Sequence, residues 1–132
     1  VSGENIIIGR VGALCGNIRY INEEKWITDN ALILNLINLS KTLYSYVSYV
    51  LECANLNALS VSNAQPLITG TKVMNISIAI PPLSEQKQII DYLDKQTAKI
   101  DQAIALKTAH IEKLKEYKSV LINDVVTGKV RV

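Results

Sequence analysis

The apolar residues of this chain follow two rhythms, and the change between them falls near Pro81-Pro82. Before that point, Asn5 to Gly9, Gly16 to Ile21 and Ala31 to Asn38 are short β-branched or leucine-rich runs separated by Gly, Asn and Asp. This pattern predicts strands joined by turns. Val73 to Ile80 alternates more cleanly: Ile76, Ile78 and Ile80 would face a core while Asn75 and Ser77 face away, the two-residue period of a half-buried strand. Between these runs lies Ser40 to Leu56, where Ser40 can cap a helix and Leu43, Val47, Val50, Leu51 and Ala54 share one helical face. Tyr44, Tyr46 and Tyr49 keep a strand open as the alternative there.

After the prolines, Lys, Glu, Asp and Gln surround regularly spaced aliphatics. Proline cannot extend a helix backwards, and Ser84 with Glu85 supplies a cap and a first-turn acid, so a helix is expected from about Ser84. No Pro or Gly intervenes until Gly128, which stands beside Lys129 as a C-terminal stop. The helix would run about 43 residues, or roughly 65 Å. Such a length needs a partner, because an isolated helix gains little unless its apolar stripe is buried.

The stripe is a heptad seam. Leu83, Ile90, Thr97, Ile104, Ile111 and Lys118 hold one position, and Gln86, Leu93, Ile100, Lys107, Leu114 and Leu121 hold the other. In an antiparallel pair crossing at Gln102, Thr97 faces Lys107, Gln86 faces Lys118, and the remaining layers are aliphatic. Sliding by one heptad sets Lys107 against Ile90 or Ile104, and burying an ammonium without a polar partner costs at least about 1 kcal/mol. The sequence therefore predicts an antiparallel two-stranded coil, either a homodimer or a pairing with a helix from a missing N-terminal half. The alternative is a helix packed on its own globular part.

Length and composition agree with this division. A chain of 132 residues suffices for one modest core plus an appendage, and 48% apolar with 20% charged residues places it among globular proteins. The expected class is α+β: a small mixed or antiparallel β-rich domain with a short helix over residues 1–82, then one long coiled-coil helix over 83–132. No apolar run is long enough to cross a bilayer. The chain opens at Val1 inside a strand-like run, without Met or a basic leader, and is expected to be the later piece of a longer chain without a targeting segment. Cys15 and Cys53 lack CxxC spacing and histidine neighbours, which favours free thiols in a reducing cytoplasm.

Catalytic patterns are missing. His110, the only histidine, lies beside the seam among charged residues and reads as a surface side chain, so neither a metal set nor a general base is expected. Gly9, Gly12 and Gly16 do not form the dinucleotide pattern, and Gly70-Thr71-Lys72 lacks the glycine spacing of a phosphate loop. No cofactor is expected. Trp26 and the tyrosines could stack on bases, but core or sheet packing is the preferred reading.

Ile80-Pro81-Pro82-Leu83-Ser84-Glu85-Gln86-Lys87-Gln88-Ile89-Ile90, the long helix and Val126-Thr127-Gly128-Lys129-Val130 closely resemble the conserved region of specificity subunits of type I restriction-modification systems. Upstream, Gly9-Arg10-Val11-Gly12, Cys15-Gly16-Asn17 and Thr28-Asp29-Asn30 look like the less conserved pattern of their target-recognition domains, and Asn63-Ala64-Gln65-Pro66 resembles the loop before their last strand. The resemblance implies double-stranded DNA as ligand, two methyltransferase subunits gripping antiparallel helices, and a translocating endonuclease subunit recruited to the complex. The Asn-Pro-Pro-aromatic motif with which adenine methyltransferases hold a flipped base is not matched by Ile80-Pro81-Pro82-Leu83, so the chemistry would reside in another polypeptide.

If DNA is bound, Lys and Arg meet phosphates while Arg, Asn and Gln present paired groups to base edges. The candidates in or beside predicted loops are Arg10, Arg19, Lys25, Asn30, Asn63, Gln65 and Lys72, with Gln65 and Arg10 first for base contact. Residues 1–83 carry five basic and five acidic side chains, so no basic excess supports the assignment. The coil candidates are Leu83, Ile90, Leu93, Thr97, Ile100, Ile104, Lys107, Ile111, Leu114 and Leu121. Two function classes follow: a sequence-reading DNA-binding domain held on a helical spacer, or an assembly module, left by truncation, that binds no DNA.

Overall fold

The computed structural model describes residues 1–60 and 66–131. Strands β1 (Asn5–Gly9), β2 (Ile18–Ile21) and β3 (Ala31–Leu34) form an antiparallel sheet in the order β2-β1-β3. Ile6 lies opposite Tyr20 and Leu34, and Ile8 opposite Ile18 and Leu32, so the strand period places these six side chains on one face. That face carries the core. Ile6 and Ile8 pack with Cys15, Tyr44, Val47, Leu51, Leu56 and Ile68. Ile7, on the other face between Arg19 and Ile33, is also buried.

Helix α1 (Tyr44–Cys53) resolves the ambiguous segment in favour of helix. Tyr44, Val47, Ser48 and Leu51 are buried at helical spacing together with Tyr46. The tyrosines suit a helix because their hydroxyls find partners: Tyr44 accepts from the Leu36 amide at 3.2 Å, and Tyr46 donates to the Ala79 carbonyl at 3.1 Å. The expected Ser40 cap is not formed. Its hydroxyl donates to Asn38 Oδ1 at 2.6 Å, and Leu43 holds the N-cap position without a side-chain bond. A 3-10 turn, Leu56–Leu59, follows. Gly16 rests against it with φ +83°, where a Cβ would come within 2.5 Å of the Asn57 nitrogen, so only glycine fits.

The strand expected over Val73 to Ile80 is absent. Val73 and Met74 end a short helix, α2 (Gly70–Met74), and a segment outside any strand or helix follows. The alternation was real but reported packing rather than pairing: Ile76 and Ile78 are half-buried against the core, and Asn75 and Ser77 are exposed. Ile80, expected inside, is exposed.

Helix α3 (Leu83–Val126) has 44 residues and begins one position earlier than the expected cap. The Pro82 carbonyl accepts from the Glu85 and Gln86 amides at 2.9 and 3.0 Å, and Ser84 lies inside the first turn. The end follows the Schellman pattern. Gly128 adopts φ +74°, its amide donates to Val125 O at 3.1 Å, and the Lys129 amide donates to Asp124 O at 2.9 Å. Lys129 also pairs with the Asp124 carboxylate at 3.4 Å. The chain forms two compact units, Val1–Ile90 and Asp91–Val132, so the first two turns of α3 belong to the globular unit. Ile89 and Ile90 are half-buried against its core.

Candidate nucleic-acid interface

The glycine-flanked turn after β1 is a backbone crossroads. The Arg10 amide donates to Asn30 O at 2.9 Å, and the Arg10 carbonyl accepts from the Ile68 amide at 2.9 Å and from Cys15 Sγ at 3.4 Å. With its main chain held on three sides, Arg10 keeps an exposed side chain on a fixed stem. A second tie orders residues 22–30: Lys25 and Val1 exchange backbone bonds, Lys25 N to Val1 O at 3.0 Å and Val1 N to Lys25 O at 2.9 Å.

These ties bound a concavity of about 600 Å³ on the sheet face opposite the core. Arg19, Lys25 and Asn30 all line it, together with Asn17, Thr28, Ile7 and Trp26. Three of the sequence candidates are thus brought together. Lys25 is partly neutralised, its ammonium 2.7 Å from the Glu23 carboxylate, while Arg19 is exposed. Lys72 lies elsewhere, half-buried, with Nζ donating to Leu59 O at 2.5 Å. Asn63 and Gln65 fall outside the described residues. Nearby on the sheet, the Tyr20 hydroxyl donates to Glu4 Oε1. Burial first, and then the bond to the Glu4 carboxylate and its charge, push the Tyr20 hydroxyl up to about 12.

At two side chains the structure departs from the sequence reading. Trp26, expected to pack, is 93% exposed. Its neighbours Glu23, Glu24 and Lys25 give no apolar periodicity to bury it, and that polar setting was the available signal. Gln86, assigned to the helical seam opposite Lys118, is 0% exposed inside its own globular unit. Its Nε2 donates to Lys41 O at 2.8 Å and Pro81 O at 2.7 Å, and its Oε1 accepts from the Leu43 amide at 3.0 Å. A side chain with every polar atom engaged cannot also form a layer with Lys118.

Further along the seam, Leu83, Ile90 and Leu93 are half-buried, whereas Ile100, Ile104, Lys107, Ile111, Leu114 and Leu121 are exposed. The Thr97 hydroxyl donates to Leu93 O at 2.8 Å. Its lone pairs remain able to accept from a partner. His110 is exposed, and among the described residues no group of three or more His, Cys, Asp or Glu could hold a metal. Among the same residues no helix is long and apolar enough to cross a membrane.

Comparison with known proteins decides the family. The profile of the type I restriction modification DNA specificity domain matches residues 1–116. The chain belongs to this family. The specificity domain is 30% identical over 96 residues to the type I restriction enzyme EcoprrI specificity subunit of Escherichia coli, an alignment covering 70% of this chain and 23% of that subunit. It is 34% identical over 77 residues to the type I restriction enzyme MjaVIII specificity subunit of Methanocaldococcus jannaschii, covering 58% and 17%. A putative type I specificity subunit of Mycoplasma pneumoniae is 28% identical over 91 residues, covering 69% and 30%. This specificity domain therefore spans less than a third of the length of these relatives.

Proposed function

We propose that this specificity domain reads double-stranded DNA for a type I restriction-modification enzyme in the cytoplasm. It also helps to hold the methyltransferase and endonuclease subunits on the target, leaving the chemistry to them. No cofactor of its own enters this reading. The observation that carries it is the convergence of Arg19, Lys25 and Asn30 on one concavity in a DNA specificity domain. Asn30 offers a donor and an acceptor together, as base-edge recognition requires, and Arg19 can serve base or phosphate. Arg10 lies outside the lining but is tied to Asn30 by its backbone bond. Asn63, Gln65 and Lys72 are retained as weaker candidates.

In the same reading α3 is the assembly helix, packed antiparallel with another helix across Gln102, either in a second copy or in an N-terminal half of a longer subunit. With Gln86 committed elsewhere, the proposed pairing runs from Ile90 against Leu114, through Leu93 against Ile111 and Thr97 against Lys107, to Ile100 against Ile104. Five exposed aliphatics, Ile100, Ile104, Ile111, Leu114 and Leu121, support a second function class, in which the chain is an assembly module that binds no DNA.

Duplex selection tests the first reading. Duplexes enriched by the chain from a randomised pool should bind with a shallower salt dependence than scrambled duplexes of equal length. Equal affinity for both, in a chain that still supports a stable methyltransferase complex, would favour the assembly module.

A further inference from the structure

We propose that Trp26 is a DNA-contacting residue whose indole packs against the sugar and base edges of the duplex beside Arg19 and Asn30; the inference rests on the DNA-reading function above. An indole packed in a core removes about 150–250 Å² from water. Trp26 instead leaves 93% of its surface exposed. Loose placement does not account for this, because backbone bonds at Lys25 and Asn30 hold both flanks of its segment. A pinned, exposed aromatic beside convergent polar groups is the composition of a contact surface rather than of a core.

Charge balance identifies what the indole must supply. Lys25 is paired with Glu23, and Glu24 and Asp29 lie in the same segment, so among the described residues lining the concavity Arg19 is the cation outside an ion pair. Counter-ion release from so few cations contributes little affinity, and the balance has to come from buried apolar area and directed hydrogen bonds. Trp26 provides the area and Asn30 the directed bonds. The duplex is favoured over a second copy of the chain as occupant because the same hollow carries Arg19, Asn30, Asn17 and Thr28, groups that pair with phosphates and base edges.

Trp26 is the chain's single tryptophan, so its fluorescence reports the contact without labelling. The probe is a duplex enriched by the full chain from a randomised pool, with binding read separately by anisotropy of dye-labelled DNA. The expected result is protection of Trp26 from acrylamide quenching on titration with that duplex. Trp26→Ala should weaken binding about tenfold or more, with Trp26→Phe retaining most of it. If the duplex binds while quenching is unchanged and Trp26→Ala binds equally well, the Trp26 contact is overturned and the DNA-reading function stands. If no duplex binds, both fall. If Trp26 is already shielded in the chain without DNA, in step with self-association, the surface is an interface between copies and the contact is overturned.

Discussion

The Gln86 side chain donates to the backbone carbonyl of Lys41 at 2.8 Å, joining residues 45 positions apart. It ties the first turn of α3 to the lead-in of α1, and its other atoms engage Leu43 and Pro81. The carboxamide suits this place because it donates twice and accepts at once. Gln86→Ala leaves three backbone groups of the globular unit without partners and should cost about 3 kcal/mol of stability. Gln86→Glu should cost at least as much, since a carboxylate accepts from Leu43 but donates to neither carbonyl. Urea melts of both variants give the values.

The pairing register makes a direct prediction at the layer of Ile100 and Ile104. In a symmetric antiparallel dimer crossing at Gln102, a mixture of Ile100→Cys and Ile104→Cys chains should cross-link to each other under mild oxidation, whereas Ile100→Cys with Ile111→Cys, the pair that a one-heptad slide would bring together, should not. Cys53 is an exposed thiol and is replaced by Ser in the starting chain. Cross-linking of position 100 to 111 in preference to 104 would sink the register.

Asp101 meets its own counterpart at that crossing, flanking the aliphatic layer of Ile100 and Ile104. Like charges opposed on a helical surface cost about 0.2–0.5 kcal/mol per pair at low salt. Asp101→Asn should therefore tighten self-association up to about twofold in sedimentation equilibrium, and added salt should erase the difference. A weakening would show that a helix of different charge pattern pairs here.

Tyr20 gives a pH signature of the folded sheet. Its hydroxyl is held protonated to about 12 by burial and by Glu4, against 10.0 for a free tyrosine. A proton held more tightly in the folded state stabilises it below pH 10, and this contribution fades as pH rises from 10 to about 12. The phenolate absorbance titration of the native chain should contain a component near 12 that is missing in Tyr20→Phe. Its persistence in Tyr20→Phe would reassign the shift to another tyrosine.

Arg19 and Arg10 separate two kinds of DNA contact. Replacing a base-reading arginine costs about 1–3 kcal/mol and relaxes specificity at one position, whereas replacing a phosphate contact weakens all sequences alike and lowers the salt slope by about one. Arg19, inside the concavity, is expected to follow the first pattern. Arg10, on its fixed stem outside the concavity lining, is expected to follow the second. Affinities of Arg19→Ala and Arg10→Ala for selected and scrambled duplexes, at two salt concentrations, decide between them.

The local rules left clear marks. The three strands, the stop at Gly128 and the long helix after Pro82 were legible because they rest on turn chemistry, periodicity and the geometry of proline and glycine. The segment around Val73 to Ile80 was not, because alternation records which side chains meet a core and is silent on whether a second strand supplies hydrogen bonds. Of the candidate site, the residue types were chosen by their hydrogen-bonding chemistry, and three of them converged. Packing is the sequence reading of Trp26 because no basic groups cluster in the chain around it, although its polar neighbours provide nothing to bury it.

What the amino-acid order settled alone was the division of labour: β-rich runs first, then one helix too long to be stable without company. Those features come from contacts within a few residues. What only the tertiary structure decided was the use of individual side chains, above all that Gln86 serves its own domain rather than the seam. Heptad spacing places Gln86 on the right stripe, but the Lys41 carbonyl and the Leu43 amide reach it from more than forty residues away. A periodic pattern cannot show competition between a local role and a distant partner, and burial with three hydrogen bonds decides it here.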